Sequence, residues 1–185
     1  RLDESTHRHA SNFEQTATNI SRQAGAVTGA TEILKVTTTM TKMPISADSH
    51  ITEPPNLYRD YIEPRYRDVA PHVVDDPKRG EIYVIDGMKD SIPMALVAAA
   101  GKDPTELSTR GAKFEDLHRG GWDSSARGAD QDRDGVAAEI IYPSVGMVLC
   151  NHPDIDYKQA CFDAYNRWLK DYCEGLPGRL FGMPQ

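Results

Sequence analysis

The sequence predicts an α/β fold built on a parallel sheet. From about residue 44 onward, segments of strand composition alternate with segments of helical pattern. The clearest helical segment places its apolar residues on one face at i, i+3, i+4 and i+7. This alternation is typical of parallel β/α construction, because two parallel strands must be joined by a crossover that is usually a helix.

The first predicted strand is residues 44–50 (PISADSH), and it ends in polar side chains. Pro54 and Pro55 then prevent its continuation, because proline has no N–H to donate and restricts the residue before it. We predict a long irregular insertion over about residues 51–125. Within it, residues 81–89 have the composition of a strand followed by an Asp-Gly turn.

The second half of the chain supplies the alternating elements. We predict a helix over 124–134 that stops at Gly135, since glycine is favoured just past a helix end. A strand follows over 138–144, and another opens at 179–184. No helix follows that last strand to cover it, so we expect the chain to be part of a larger α/β domain.

The long helix between those two strands is predicted from its apolar face. Asp154 or Asp156 can cap its start, and Gly175 ends it. The residues that share the face are Tyr157, Ala160, Cys161, Ala164, Trp168 and Tyr172.

Composition excludes several classes of function. The formal net charge of −7 and the pI near 5.3 argue against a nucleic-acid partner bound through its phosphates. The longest apolar run, residues 94–100, is far shorter than the roughly 18 residues of a membrane span. The three cysteines form no C-x-x-C motif, so we expect free thiols and a cytoplasmic location. A homodimer remains an open alternative.

Residues 1–42 differ from the rest of the chain. They hold nine of the twelve threonines, and Phe13 is their single aromatic residue. A segment this poor in large apolar groups cannot offset its ordering entropy by burial. We therefore predict a disordered or non-native extension over 1–42 and a folded domain over 43–185.

The first strand ends in a motif that could bind a metal ion, Asp48-Ser49-His50. Because side chains alternate along a strand, Asp48 and His50 project from the same face and can converge on one metal ion. The spacing alone leaves the alternative open that Asp48 caps a turn and His50 is an ordinary surface histidine.

Four segments, in this order, resemble the amidohydrolase-related family (amidohydrolase family 2), which contains aminocarboxymuconate-semialdehyde decarboxylase and related metal-dependent hydrolases. The resemblance spans about residues 44–184. The segments are 45–55 (ISADSHITEPP), 122–136 (WDSSARGADQDRDGV), 139–144 (EIIYPS), and 164–169 (AYNRWL) with 177–180 (PGRL).

The resemblance implies a (β/α)₈ TIM barrel, of which this chain would hold the N-terminal part. In the family the first strand supplies two metal ligands, which here would be Asp48 and His50. A barrel of this kind needs about 250 residues, so the remaining ligands are expected beyond residue 185. The implied cofactor is a divalent metal, zinc first, with manganese and iron as alternatives.

The family's chemistry implies a function for such a site. The metal would polarise a small carboxylated or cyclic substrate, or lower the pKa of a bound water. Hydrolysis and non-oxidative decarboxylation both use this arrangement. The alternative is a catalytically incomplete remnant that acts only as a structural or interaction module.

Three further residues are candidates near such a site. Glu53, three residues after His50, can orient a ligand or a water as a catalytic residue, or be a plain loop carboxylate. Arg127 can bind a substrate carboxylate or form an ion pair on its helix. His152 can line the barrel mouth and bind substrate, or belong to a loop and helix cap. Cys150 is expected to be a buried thiol.

Overall fold

A mixed sheet-and-helix domain makes up the part of the chain that the computed structural model describes, residues 42–97, 100–108 and 110–185. The predicted extension, apart from Lys42, lies outside the described residues. The strands of the described part are β1 (Ile45–His50), β2 (His72–Asp76), β3 (Gly80–Val84), β4 (Ile92–Pro93), β5 (Ala138–Tyr142) and β6 (Leu180–Gly182). Its α-helices are α1 (Leu57–Tyr61), α2 (Ser124–Asp134), α3 (Val145–Leu149) and α4 (Ile155–Glu174).

The central sheet is parallel, with strand order β1-β5-β6. Ile45 lies opposite Ala138 and His50 opposite Tyr142, so β1 and β5 end side by side. Helix α2 precedes β5, and helix α4 lies between β5 and β6. Each pair of neighbouring parallel strands is therefore joined by a connection that contains a helix. The predicted α/β fold with a parallel sheet is therefore confirmed. In the described residues these three strands do not form a closed barrel.

Helix α2 forms where its local signals predict it. The Asp123 carboxylate accepts the backbone N–H groups of Ser125 and Ala126 at 2.9 and 3.2 Å, which caps the first turn. Gly135 ends the helix with φ of 69°, in the left-handed region that favours glycine. Both ends are thus fixed by single residues.

Helix α4 packs its predicted apolar face into the core. Asp154 caps its start, with the carboxylate accepting the N–H of Tyr157 at 3.0 Å. The helix ends at Gly175. Its buried residues are Tyr157, Ala160, Cys161, Ala164, Tyr165, Trp168, Leu169 and Tyr172.

The insertion is more ordered than the sequence predicts. Strands β2, β3 and β4 form an antiparallel sheet, and only β3 was expected. Strand β2 carries two aspartates in five residues, so its formation depends on pairing with β3 rather than on its own composition. Asp76 begins the connecting turn by accepting the N–H groups of Lys78 and Arg79, and Gly80 completes it with φ of 80°.

A buried ion pair joins α2 to the sheet. The Arg127 guanidinium donates to both carboxylate oxygens of Glu139 on β5, at 2.6 and 3.2 Å. Gln131 and Ser49 donate to the same carboxylate at 2.8 and 3.1 Å. Burial alone would raise the pKa of Glu139, but these hydrogen bonds and the Arg127 charge outweigh it and lower the pKa.

None of the helices in the described part is long and apolar enough to cross a membrane.

Arg127→Met should lower the free energy of unfolding by about 3 kcal/mol or more, because it leaves the Glu139 carboxylate buried without its cation. Urea denaturation measures the change. Lys170→Met is the matched control, since the Lys170–Glu174 pair at 2.9 Å is exposed on α4 and such pairs contribute little. Equal effects of the two substitutions would contradict this account of the Arg127–Glu139 pair.

Candidate metal centre

Asp48 and His50 lie together at the carboxyl end of β1. His50 Nε2 is 3.4 Å from Asp48 Oδ1, and the Asp48 side chain is 83% exposed. The residue between them, Ser49, is buried and points to the opposite face, toward Glu139. The structure thus places the carboxylate and the imidazole on one face, although the pairing of β1 with β5 shifts register between Ser46 and Ser49.

The His50 ring has a defined orientation, in which Nδ1 donates a hydrogen bond. Its Nδ1 lies 2.8 Å from the carbonyl oxygen of Pro143, at the end of β5. A carbonyl can only accept, so Nδ1 carries a proton, and Nε2 faces the Asp48 carboxylate. A histidine that ligates a metal is commonly held in this way, with its second nitrogen donating to a backbone carbonyl.

Both side chains open into a groove of about 610 Å³. Its wall is largely apolar and comes from the ends of β5 and β6, from the loops that follow them, and from α3 and α4. Gln185 borders the groove and is held by Asn166 through two hydrogen bonds of 2.8 and 3.0 Å. The residues that line the groove besides Asp48 and His50 are Tyr142, Pro143, Met147, Cys150, Phe162, Met183, Pro184 and Gln185.

Cys150 corrects an expectation. The sequence places it after a strand-like run and predicts a buried thiol, but it is exposed at the groove. Residues 145–149 form the short helix α3 instead of a strand, and Cys150 follows its last turn. The burial of Val145 and Leu149 accounts for the apolar run that suggested a strand.

The donor set fits a metal only in part. A carboxylate and an imidazole are both ordinary zinc ligands, and His50 already has the hydrogen bond that orients such a ligand. In the part of the chain that the structure describes, however, no group of three or more His, Cys, Asp or Glu side chains converges on a metal-binding position. Asp48 and His50 are therefore two potential donors, and a protein metal site needs more than two.

Glu53 does not line the groove. Its side chain is fully buried, and Oε1 accepts the backbone N–H groups of Ser144, Val145 and Gly146 at 2.9, 2.8 and 3.3 Å. Burial raises the pKa of Glu53, and backbone hydrogen bonds, those of Ser144, Val145 and Gly146 among them, oppose that shift without cancelling it. The Glu53 carboxylate therefore contacts the amino end of α3.

The surroundings of Glu53 are aromatic and buried. Its second oxygen, Oε2, and the hydroxyls of Tyr58 and Tyr165 have no hydrogen-bond partner among the described residues. The Tyr83 hydroxyl donates to the backbone oxygens of Glu53 and Pro54. Burial, and then the nearby Glu53 charge, raise the pKa of Tyr58 well above its ordinary value.

Arg127 lies behind β1, across the strand from the groove. Besides Glu139, its guanidinium donates to the backbone oxygens of His50 and Gly120, at 3.2 and 3.1 Å. It borders a second cavity of about 820 Å³, which His50 also touches. Arg127 is therefore hydrogen-bonded to the main chain of His50 and to the Glu139 side chain.

His152 is buried away from the groove. Its Nε2 donates to the backbone oxygen of Asp86 at 2.7 Å, and its Nδ1 accepts the N–H of Asp154 at 3.1 Å. Both ring nitrogens are engaged, and the ring packs on Tyr157 with centroids 4.6 Å apart. The structure places His152 as a link between the insertion and the start of α4.

The main chain of Pro143 and Ser144 also belongs to the site, and no side-chain motif in the sequence predicts it. Its carbonyl orients His50, and the Ser144 hydroxyl donates to the backbone oxygen of Ile51 at 2.7 Å. The available signal was the position of Tyr142-Pro143-Ser144 directly after a predicted strand, next to the end of β1 in a parallel sheet.

Glu53→Gln should raise the free energy of unfolding relative to wild type, and this gain should be larger at pH 7 than at pH 4. The folded state raises the pKa of Glu53 above its ordinary value of 4.5, so wild type loses stability as pH rises from 4.5 through the folded value. Glutamine stays neutral and avoids that loss. Urea denaturation of both chains across this range measures it, and a difference that does not grow with pH would contradict it.

Comparison with known proteins supports the fold. No protein-family model matches the sequence, and no curated protein matches it. A solved structure of an amidohydrolase from Mycobacterium avium subsp. paratuberculosis K-10 is similar, with a TM-score of 0.57 and 21% identity. The match covers 78% of this chain and 43% of that one, so this chain spans less than half of that protein's length. At this identity the likeness establishes an amidohydrolase-like fold for the described domain.

Proposed function

We propose that Asp48 and His50 bind a divalent metal, and that the chain forms part of a metal-dependent hydrolase or non-oxidative decarboxylase. One observation carries the proposal. The two side chains share a face, 3.4 Å apart, while the Pro143 carbonyl holds the His50 ring so that Nε2 faces Asp48. An unconstrained surface histidine would not have its ring orientation fixed by a backbone carbonyl.

The position of the pair supports the same function. Asp48 and His50 stand at the carboxyl end of a parallel strand, which is where α/β folds place their active sites. The fold likeness to an amidohydrolase adds support from an independent direction.

The chain's own residues have distinct roles in this proposal. His50 Nε2 and the Asp48 carboxylate hold the ion, with zinc the first choice and manganese or iron as alternatives. When bound, such an ion supplies Lewis-acid chemistry toward a carbonyl, a carboxylate or a water. Tyr142, Met147 and Met183 give the groove an apolar wall beside the pair, suited to a small carboxylated or cyclic substrate. Glu53 holds the backbone of residues 144–146 in place and takes no part in the reaction.

A catalytic zinc site uses three protein ligands and leaves one position open. We propose that the ligands beyond Asp48 and His50 come from outside the described residues. The second candidate function, a structural or interaction module without chemistry, is favoured by the lack of a third converging ligand within the described residues.

Metal titration of the complete protein tests the proposal. We expect wild type to bind zinc at one site, and Asp48→Ala and His50→Ala each to weaken binding at least about tenfold, which is about 1.4 kcal/mol. Isothermal titration calorimetry measures affinity and stoichiometry, and circular dichroism verifies folding.

His118→Ala is the matched control, because His118 also faces an aspartate, with Nε2 2.6 Å from Asp130 Oδ2, but lies outside the groove. Its affinity should equal that of wild type. Zinc binding that survives His50→Ala, or that depends on His118 instead, would refute the assignment.

A further inference from the structure

We propose that Glu53 is a positioning residue for His50 and acts through the single peptide unit between Pro143 and Ser144. This inference rests on the proposed metal-binding role of His50. It assigns the buried carboxylate a task that its distance from the groove would otherwise leave unexplained.

The two ends of one peptide make the connection. The N–H of Ser144 donates to Glu53 Oε1 at 2.9 Å, and the carbonyl of Pro143, in the same peptide, accepts from His50 Nδ1 at 2.8 Å. A trans peptide is planar, with its N–H and C=O pointing in opposite directions. Glu53 therefore fixes the plane whose other side orients the His50 ring.

Further contacts hold the peptide plane in place. Glu53 Oε1 also accepts from Val145 and Gly146, so three successive N–H groups converge on one oxygen. On the β1 side, Ser144 Oγ donates to the Ile51 oxygen at 2.7 Å, and the Ile51 N–H donates to the Tyr142 oxygen at 3.2 Å. The loop therefore has little freedom to rotate while Glu53 is present.

When Glu53 is ionised, its charge also acts on the peptide between Pro143 and Ser144. A carboxylate that accepts a peptide N–H polarises the peptide and makes its carbonyl a stronger acceptor, because hydrogen bonds in a chain reinforce one another. The stronger acceptor favours the Nδ1–H tautomer of His50 and makes Nε2 a better ligand. The series Glu53, peptide and His50 thus does what a carboxylate bonded directly to a ligating histidine does elsewhere.

Two substitutions separate the geometry from the charge. Glu53→Gln keeps the shape and one acceptor oxygen but removes the charge, whereas Glu53→Ala removes the acceptor. The readout is the ring nitrogen shifts of His50 in the metal-free full chain labelled with ¹⁵N-histidine. His118 in the same spectra is the internal control, because Asp130 and not Glu53 faces it.

At a pH where His50 is neutral, we expect wild type to show mainly the Nδ1–H tautomer of His50. Glu53→Ala should lower the ratio of that tautomer to the other at least tenfold, and Glu53→Gln should preserve its dominance while moving the His50 Nδ1 resonance. Zinc affinity should fall about tenfold or more in Glu53→Ala and less in Glu53→Gln, in line with the effect of outer-shell partners. The His118 resonances should stay in place.

A folded Glu53→Ala chain with an unchanged His50 tautomer overturns the proposal. If that chain does not fold, Glu53→Gln decides, and an unmoved His50 Nδ1 resonance overturns it equally. The tautomer is read without metal, so it is independent of the proposed function. A wild type that binds no zinc but shows the Glu53 effect refutes the metal centre and leaves the positioning intact.

Discussion

The parallel pairing of β1 with β5 is the interaction on which the rest of the structure depends. It brings the ends of both strands to one place, with His50 opposite Tyr142. The residues that follow the two strands are then close enough to bond. His50 donates to the Pro143 carbonyl, and the Ser144 N–H donates to Glu53. Since the strands run in the same direction, two loops that are far apart in sequence become a single hydrogen-bonded unit.

The same pairing separates two environments across β1. On one face, Asp48 and His50 open into a groove and remain accessible. On the other, Ser49 joins the Glu139 carboxylate, where Arg127 compensates the buried charge. The pKa of Glu139 is lowered, so its ionised carboxylate stabilises the fold, whereas the pKa of the buried Glu53 is raised, so ionising Glu53 costs stability.

Features fixed by neighbouring residues could be predicted from the sequence, whereas features that depend on distant contacts could not. Helix α2 was predictable because Asp123 and Gly135 fix its ends locally. The pairing of Asp48 with His50 followed from strand alternation. Strand β2 was missed because it depends on a partner strand, and the environment of Glu53 was missed because it depends on backbone N–H groups that a residue pattern does not reveal. The identity of side chains is local information, whereas burial and main-chain contacts are properties of the folded chain.

The measurement that tests the central claim most directly is a crystal structure of the full chain grown with zinc, with anomalous data collected at the zinc edge. The account predicts a peak about 2.0–2.2 Å from both His50 Nε2 and an Asp48 carboxylate oxygen, with His50 Nδ1 still donating to Pro143. A peak at Cys150 or at His118, with none between Asp48 and His50, would contradict it.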